Sequence, residues 1–301
     1  MAFPLKERPN SQYRGRFAPS PSGLLHFGSL VAALASFLDA KANNGYWLVR
    51  IEDIDPPREQ IGAASEILHT LEAYGLYWDE QVLYQSQQSE LYEQVLAYLE
   101  SNKLTYFCQC TRATIKASGG IYNRHCQHLN LPSTNAGTRL INQFPVANYR
   151  DAIQGIVTCD EKLAGEDFII KRKDGLYAYQ LAVVVDDIVQ GITHIVRGCD
   201  LLEPTARQLT LYQTFNITPP QYAHVPLVVT HDGYKLSKQN KAPAIDKKAP
   251  QASLIAALTF LGQNPPAALA NEPTEQVIQW AVKHWQLNNV PRVAQIPLTI
   301  G

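Results

Sequence analysis

The chain has 301 residues, 46% of them hydrophobic and 18% charged, and a formal net charge of −1, the composition of a globular protein able to bury one large core or two smaller ones. That balance excludes a general electrostatic pull toward nucleic acid, so any RNA contact has to come from local basic patches. The first dozen residues lack a leader's apolar core, and the longest nearly unbroken apolar run, Leu30 to Leu38, is nine residues, so a cytoplasmic protein without a membrane anchor is expected.

In chain order, the first strand is expected in "YRGRFAP" (13–19). Leu30, Val31, Leu34, Phe37 and Leu38 then recur at helical spacing between Gly28 and Asn43, and "NNG" supplies the stop. "YWLVRIED" (46–53) reads as a short apolar strand closed by acids. "DPPRE" opens a second helix, with Pro57 in its first turn and Ile61, Ala64, Ile67, Leu68 and Leu71 along one face. A third helix covers about 89–101, and "TYFCQC" (105–110) reads as a strand. The alternation predicts an α/β fold with a doubly wound parallel sheet.

Residues 108–135 break that rhythm with Cys, His and Gly and read as an insertion. Strands are expected again at "DFIIKR" (167–172), "LAVVVDDI" (181–188), "THIVRG" (193–198) and "HVPLVV" (224–229). Two short helices, 252–261 and 277–285, follow. The expected division is an N-terminal extension (1–13), a Rossmann-type catalytic domain carrying the insertion (14–245) and a small helical C-terminal subdomain (246–301).

Two stretches carry the chemistry. "RFAPSPSGLLHFGS" (16–29) delivers a strand to the carboxyl edge of the sheet and turns into a helix whose N-terminal N–H groups suit a phosphate. Gly23 and Gly28 clear side chains from the approach, and His26 adds a donor for charge developing on a phosphoryl oxygen. "KLSK" (235–238) then places Lys235 and Lys238 in a loop after a strand, a pair of point charges for departing phosphates.

Together these stretches resemble the two signature sequences of class I aminoacyl-tRNA synthetases, and "RFAPSPSG" with "LVRIEDID" narrows the likeness to the glutamyl branch. The resemblance covers about residues 14–245, with two departures: Ser29 stands where the first signature has a second histidine, and the second reads "KLSKQ". It implies a class I Rossmann fold, His26, Lys235 and Lys238 in catalysis, and ATP with Mg²⁺ bound at His26, Gly28, Ser29 and Lys238. The 63 residues after "KLSK" (239–301) are too few for a large anticodon-binding region. This points to the short paralogues of the branch, which activate glutamate without tRNA and attach it to queuosine at the wobble position of the tRNA for aspartate. A monomer is expected.

Glutamate needs two cationic forks and one acid. Arg16 and Arg197 supply the forks, with Arg197 assigned to the side-chain carboxylate, Glu52 takes the ammonium, and Tyr179 hydrogen-bonds across the pocket. Tyr179 and Arg197 match positions where the branch places substrate contacts, and the likeness lays Phe17, Ala18, Pro19 and Ser20 alongside them. Asp200 is open to either the ribose or the amino acid. Rival readings are a truncated glutamyl-tRNA synthetase that charges a tRNA 3′ end, and a non-catalytic, zinc-stabilised RNA-binding module.

Five cysteines, three of them within residues 108–126, argue for a metal site rather than a disulfide framework. Cys108, Cys110 and Cys126 need a fourth ligand to close a structural zinc site, one ion per chain. Chemistry alone favours His128, then His125. The family pattern implies Tyr122.

Overall fold

The computed structural model describes residues 3–5, 12–230, 234 and 243–298. Lys235 and Lys238 therefore lie outside the described residues.

The chain begins with β1 (Arg14–Phe17), α1 (Phe27–Ala42) and β2 (Tyr46–Ile51), a strand–helix–strand unit in which β1 and β2 pair in parallel with Arg16 opposite Leu48. α2 (Ala63–Ala73) leads to β3 (Leu83–Tyr84), which adds in parallel beside β2. α3 (Ser89–Ser101) is followed by β4 (Thr105–Cys108), α4 (Arg112–Ala117) and β5 (Gly137–Leu140). Next come β6 (Asn148–Asp151), β7 (Gly155–Thr158), α5 (Glu161–Ala164) and β8 (Ile169–Lys171). α6 (Tyr179–Val189), β9 (His194–Gly198), α7 (Leu202–Phe215), β10 (Gln221–Val225) and β11 (Leu227–Val229) complete the region before Lys235 and Lys238. α8 (Pro250–Phe260), α9 (Thr274–His284) and β12 (Gln295–Pro297) close the described chain.

β9, β10 and β6 form a second parallel group, with β7 as an antiparallel edge. It abuts β1 beside β9, where Thr193 N donates to Arg14 O at 3.0 Å. The resulting layer carries helices on its faces, the class I arrangement that the signature stretches imply. α1 forms the main seam: Leu30, Val31, Leu34 and Leu38 pack in one core with Trp47 and Val49 of β2. Leu254, Leu258, Val277 and Ile278 of α8 and α9 belong to the same core, and Trp285 Nε1 donates to Asp39 Oδ1 at 2.8 Å. No described helix is long and apolar enough to cross a membrane.

Three local expectations need correction. "LAVVVDDI" is helical, inside α6, not a strand. An apolar run buried on all sides shows no periodicity that separates helix from strand, and its β-branched residues tip the reading the wrong way. The prolines of "DPPRE" form a separate 3-10 turn, Pro56–Arg58, and α2 starts only at Ala63 after Gly62 takes a left-handed φ of 80°. Ile61 is consequently fully exposed rather than part of the buried face. "TYFCQC" contributes β4 not to the parallel sheet but to a separate antiparallel sheet, β4–β5–β8, which carries Cys108 at the end of β4.

Candidate active site

At the carboxyl edge of β1, β2 and β9 lies a cavity of about 620 Å³. It is lined by Arg16, Phe17, Ala18, Pro19, Ser20, His26, Gly28, Ser29, Glu52, Tyr179, Arg197 and Asp200. Every described residue expected to meet glutamate or ATP is therefore brought to one place. Lys235 and Lys238 are outside the described residues; before them in the chain Leu227 and Val228 line the cavity, and after them Ala244 forms a β-bridge with His26.

His26 caps α1. Its Nδ1 accepts from Ser29 N at 3.2 Å, which in the neutral ring places the proton on Nε2 as a donor. Gly28 lies close under this ring: a Cβ there would stand 3.2 Å from its Cε1 and Nδ1, and the ring would have to shift by a few tenths of an ångström. Ser29, where the family signature has a second histidine, thus contributes a backbone N–H that orients the first.

Arg16, at the end of β1, is buried and held by Asp187 of α6 through Nε at 3.1 Å and Nη2 at 3.3 Å. Arg50 of β2, wholly buried, donates through Nη1 to Asp187 Oδ1 and to Gln190 Oε1, both at 2.8 Å. Its Nη2 lies 3.6 Å from Glu52 Oε1, and that oxygen has no hydrogen-bond partner among the described residues. Burial pushes the Glu52 carboxyl up, and Arg50 and Arg16 pull it back only in part. Glu52 also lines the cavity, and a carboxylate there suits an ammonium.

A buried ion network of this kind costs desolvation and is unforgiving of a missing member. Asp187→Ala would strand two guanidiniums, and we expect it to cost about 3–5 kcal/mol, read as a lowered urea midpoint. A midpoint within error of the wild type would show that solvent reaches these charges.

Arg197, near the end of β9, faces the same cavity with a different set of partners. Nε donates to His224 Nε2 at 3.0 Å, and Nη2 donates to Thr205 Oγ1 at 2.6 Å and Gln208 Oε1 at 2.8 Å. Nη1 is buried without a hydrogen-bond partner among the described residues. His224 Nδ1 lies 2.6 Å from Asp151 Oδ2. Burial of Asp151 opposes its charge, but the hydrogen bonds from His224 and the backbone overcome this and hold its pKa below the usual value.

Burial also keeps the His224 imidazole neutral, its pKa pushed down from 6.5 to about 4. An unfolded chain protonates this ring at the higher value and the folded chain only at the lower one. Stability from this group is therefore whole above pH 6.5 and lost as pH falls toward 4, by about 3 kcal/mol. Denaturation midpoints should accordingly fall more steeply from pH 7 to 4.5 in the wild type than in His224→Gln; equal slopes would contradict the burial of a neutral ring.

Arg50, Asp151, Asp187, Thr205, Gln208 and His224 were missed by sequence reasoning. A signal was available for the acids: "VVVDDI" places two carboxylates in an otherwise apolar run, and buried carboxylates demand cations.

The cysteine cluster is separate. The sulfurs of Cys108, Cys110 and Cys126 lie within 4.8 Å of one another, with Cys110 and Cys126 at 3.5 Å. His125 and His128 are exposed and do not join the group, contrary to the choice from chemistry alone. Tyr122 is buried in the same small cluster, where its hydroxyl accepts from Cys126 N at 2.9 Å. Arg139 stacks on its ring at 3.6 Å, and its hydrogen bond helps hold the Cys108 thiol below its ordinary pKa against burial. Soft donors gathered around a cationic neighbour fit a thiolate-bound metal.

Residues 12–279 match the family model for the catalytic domain of class I tRNA synthetases (E and Q). The chain is 60% identical to a glutamyl-Q tRNA(Asp) synthetase of Colwellia psychrerythraea, over 97% of this chain and 96% of that one. It is 56% identical to the protein of that name from Escherichia coli, over 99% and 97% of the two chains. Among solved structures, a glutamate-tRNA synthetase from Elizabethkingia anophelis superposes with a TM-score of 0.80 at 24% identity, over 96% of this chain and 68% of that one. A glutamate tRNA ligase from Elizabethkingia meningosepticum, in complex with its amino acid, gives 0.78 at 25% identity, over 94% and 66%. By the cavity at the sheet edge, the signature helix tip and these matches, the chain belongs to the class I tRNA synthetases of the glutamate and glutamine branch and, within them, to the glutamyl-Q tRNA(Asp) synthetases.

Proposed function

We propose that this protein activates L-glutamate with ATP to glutamyl-adenylate without tRNA, and then transfers the glutamate to queuosine at the wobble position of tRNA(Asp). The observation that carries this reading is the gathering of Arg16, Arg197 and Glu52 in one cavity with the His26 tip of α1. Two guanidiniums and a carboxylate are complementary to two carboxylates and an ammonium, and the adjoining helix N-terminus is complementary to a phosphate. The matches of 56–60% identity over nearly the whole length of proteins bearing that name support the acceptor.

In this reading Arg197 holds the side-chain carboxylate, Arg16 steadies the α-carboxylate, Glu52 accepts from the ammonium and Tyr179 closes the wall. Phe17, Ala18, Pro19 and Ser20 lie along the amino acid, and Asp200 faces the ribose. The α-carboxylate attacks the α-phosphorus and pyrophosphate leaves. His26 Nε2–H and the N–H groups at Gly28 and Ser29 follow the charge on the phosphoryl oxygens, while Lys235 and Lys238, with Mg²⁺, take up that of the leaving group. No proton need move in this step, so the residues act by placement and field. A hydroxyl of the modified base then attacks the carbonyl of the mixed anhydride, forming the ester as the bond to phosphate breaks and AMP and the hydroxyl proton leave. Zinc, where bound, is a structural cross-link held by Cys108, Cys110 and Cys126, with Tyr122 as fourth ligand.

The test omits RNA. Incubated with ATP, labelled pyrophosphate and single amino acids, the protein should move label into ATP with glutamate alone; silence with every amino acid overturns the reading. For the second step, tRNA(Asp) lacking its 3′-terminal adenosine should still accept glutamate and tRNA(Asp) lacking queuosine should not. The opposite pattern would identify a truncated glutamyl-tRNA synthetase.

A further inference from the structure

Beneath Arg197 lies a wholly buried pair, Asp151 and His224, neither of which lines the cavity. A guanidinium nitrogen only donates, so the 3.0 Å contact from Arg197 Nε makes His224 Nε2 an acceptor. The ring's proton is then on Nδ1, where Asp151 Oδ2 accepts it at 2.6 Å. Thr205 Oγ1, 3.3 Å from Nε2, gives its own proton to Leu201 O at 2.6 Å and so does not compete for that lone pair. Of the five N–H donors of Arg197, one goes to His224 and two, on Nη2, to Thr205 and Gln208. The two on Nη1 are left without a partner among the described residues.

We propose that Asp151 and His224 are positioning residues for glutamate selection: Asp151 locks the histidine tautomer, and the histidine in turn orients the Arg197 fork so that Nη1 meets the γ-carboxylate. The proposal rests on the reading of Arg197 as the side-chain fork. The same logic governs histidines whose second nitrogen is set by a carboxylate, where the outer partner decides what the inner nitrogen can do. Here the inner nitrogen acts on an arginine instead of a metal or a nucleophile.

The tautomer can be inverted with almost no change of shape. Asp151 Oδ1 accepts from three backbone N–H groups, of Ile153 at 3.0 Å, Gln154 at 2.8 Å and His224 at 3.2 Å. In Asp151→Asn the carbonyl oxygen must remain there, which turns the amide NH₂ toward His224 Nδ1. That nitrogen then has to accept, the ring proton moves to Nε2, and two N–H groups oppose each other across the Arg197 contact. An alanine at 224 removes the relay, so that Arg197 no longer senses what stands at 151.

The experiment is glutamate-dependent ATP–pyrophosphate exchange on the full chain, with thermal melting alongside. Asp151→Asn should raise the glutamate KM at least about ten-fold, the loss of one buried, charge-assisted hydrogen bond, with kcat and the ATP KM within about three-fold of the wild type. His224→Ala should raise the glutamate KM by a similar factor, and adding Asp151→Asn to it should change little further, the non-additivity that marks two residues acting as one unit. Arg197→Gln provides the reference. If it raises the glutamate KM and Asp151→Asn does not, the positioning role is wrong while the pocket stands. If Asp151→Asn acts equally in both backgrounds, or raises both substrate KM values as the melting point falls, the pair is merely structural and the proposal is overturned. If Arg197→Gln itself leaves glutamate binding unchanged, the reading of Arg197 falls and takes the proposal with it.

Discussion

Arg197→Gln is expected to lower kcat/KM for glutamate about 10²–10³-fold in the exchange reaction, with nearly all of the loss in the glutamate KM. The size follows from the surroundings. Arg197 is buried, its Nε and Nη2 are fixed by His224, Thr205 and Gln208, and only Nη1 remains to meet a ligand. A carboxylate brought to that position in the wild type forms a charge-assisted bond with a guanidinium already held by three other bonds. In the variant it would be desolvated with no cation to receive it, and truncating one partner of such a pair costs about 2–5 kcal/mol. Selectivity should fall with affinity: the neutral amide of glutamine loses less than glutamate does, so the preference between them should narrow by a similar factor. Arg197→Lys should recover part of the rate, because it restores charge but not the fork. Unchanged discrimination between glutamate and glutamine in Arg197→Gln would place side-chain recognition elsewhere.

The groups that line the cavity were legible in the sequence, while the groups that hold them were not. Arg16, Glu52 and Arg197 sit beside glycines or acids at strand ends, and His26 caps α1 two residues before Gly28, where the local pattern announces a turn at the sheet edge. Asp187 and His224 sit in apolar runs, and their partners are far off in the chain: Asp187 reaches Arg16 across 171 positions and His224 reaches Asp151 across 73. Pairing at such distances depends on strand order, which local periodicity does not contain. Misreading α6 as a strand had the same origin and a specific consequence. On a strand, Asp186 and Asp187 would point to opposite faces of the sheet, and so do not present themselves as one cluster. On the helix, Asp187 takes Arg16 and Arg50 while Asp186 takes Gln85 and Tyr92, so one turn of α6 braces both β1 and β2.

Cys126→Ser is expected to abolish stoichiometric zinc binding and to open residues 108–135 to trypsin at Arg112, Lys116 and Arg124, while glutamate activation persists. The insertion has little else to hold it. Its buried cluster consists of Cys108, Tyr122 and Cys126, with Tyr106, Cys110, Ile115 and Leu131 only partly buried against it. Burial of a few such side chains is worth about 1.5–3 kcal/mol each, against an ordering cost of about 1–2 kcal/mol for every residue fixed. A structural zinc contributes about 10–16 kcal/mol, enough to decide the balance. The parallel sheet and α1 pack in a different core, so unfolding of the insertion need not reach the cavity. Tyr122→Phe separates the ligand from the packing. The ring would still lie under Arg139, but the oxygen beside Cys126 would be gone, and zinc affinity should fall at least about ten-fold with the protease pattern intact at saturating metal. His128→Ala should leave affinity unchanged, since its ring is exposed and outside the sulfur cluster. If chelation of the wild type leaves the 108–135 digestion rate as it was, the thiols are packed side chains and the insertion folds without a metal.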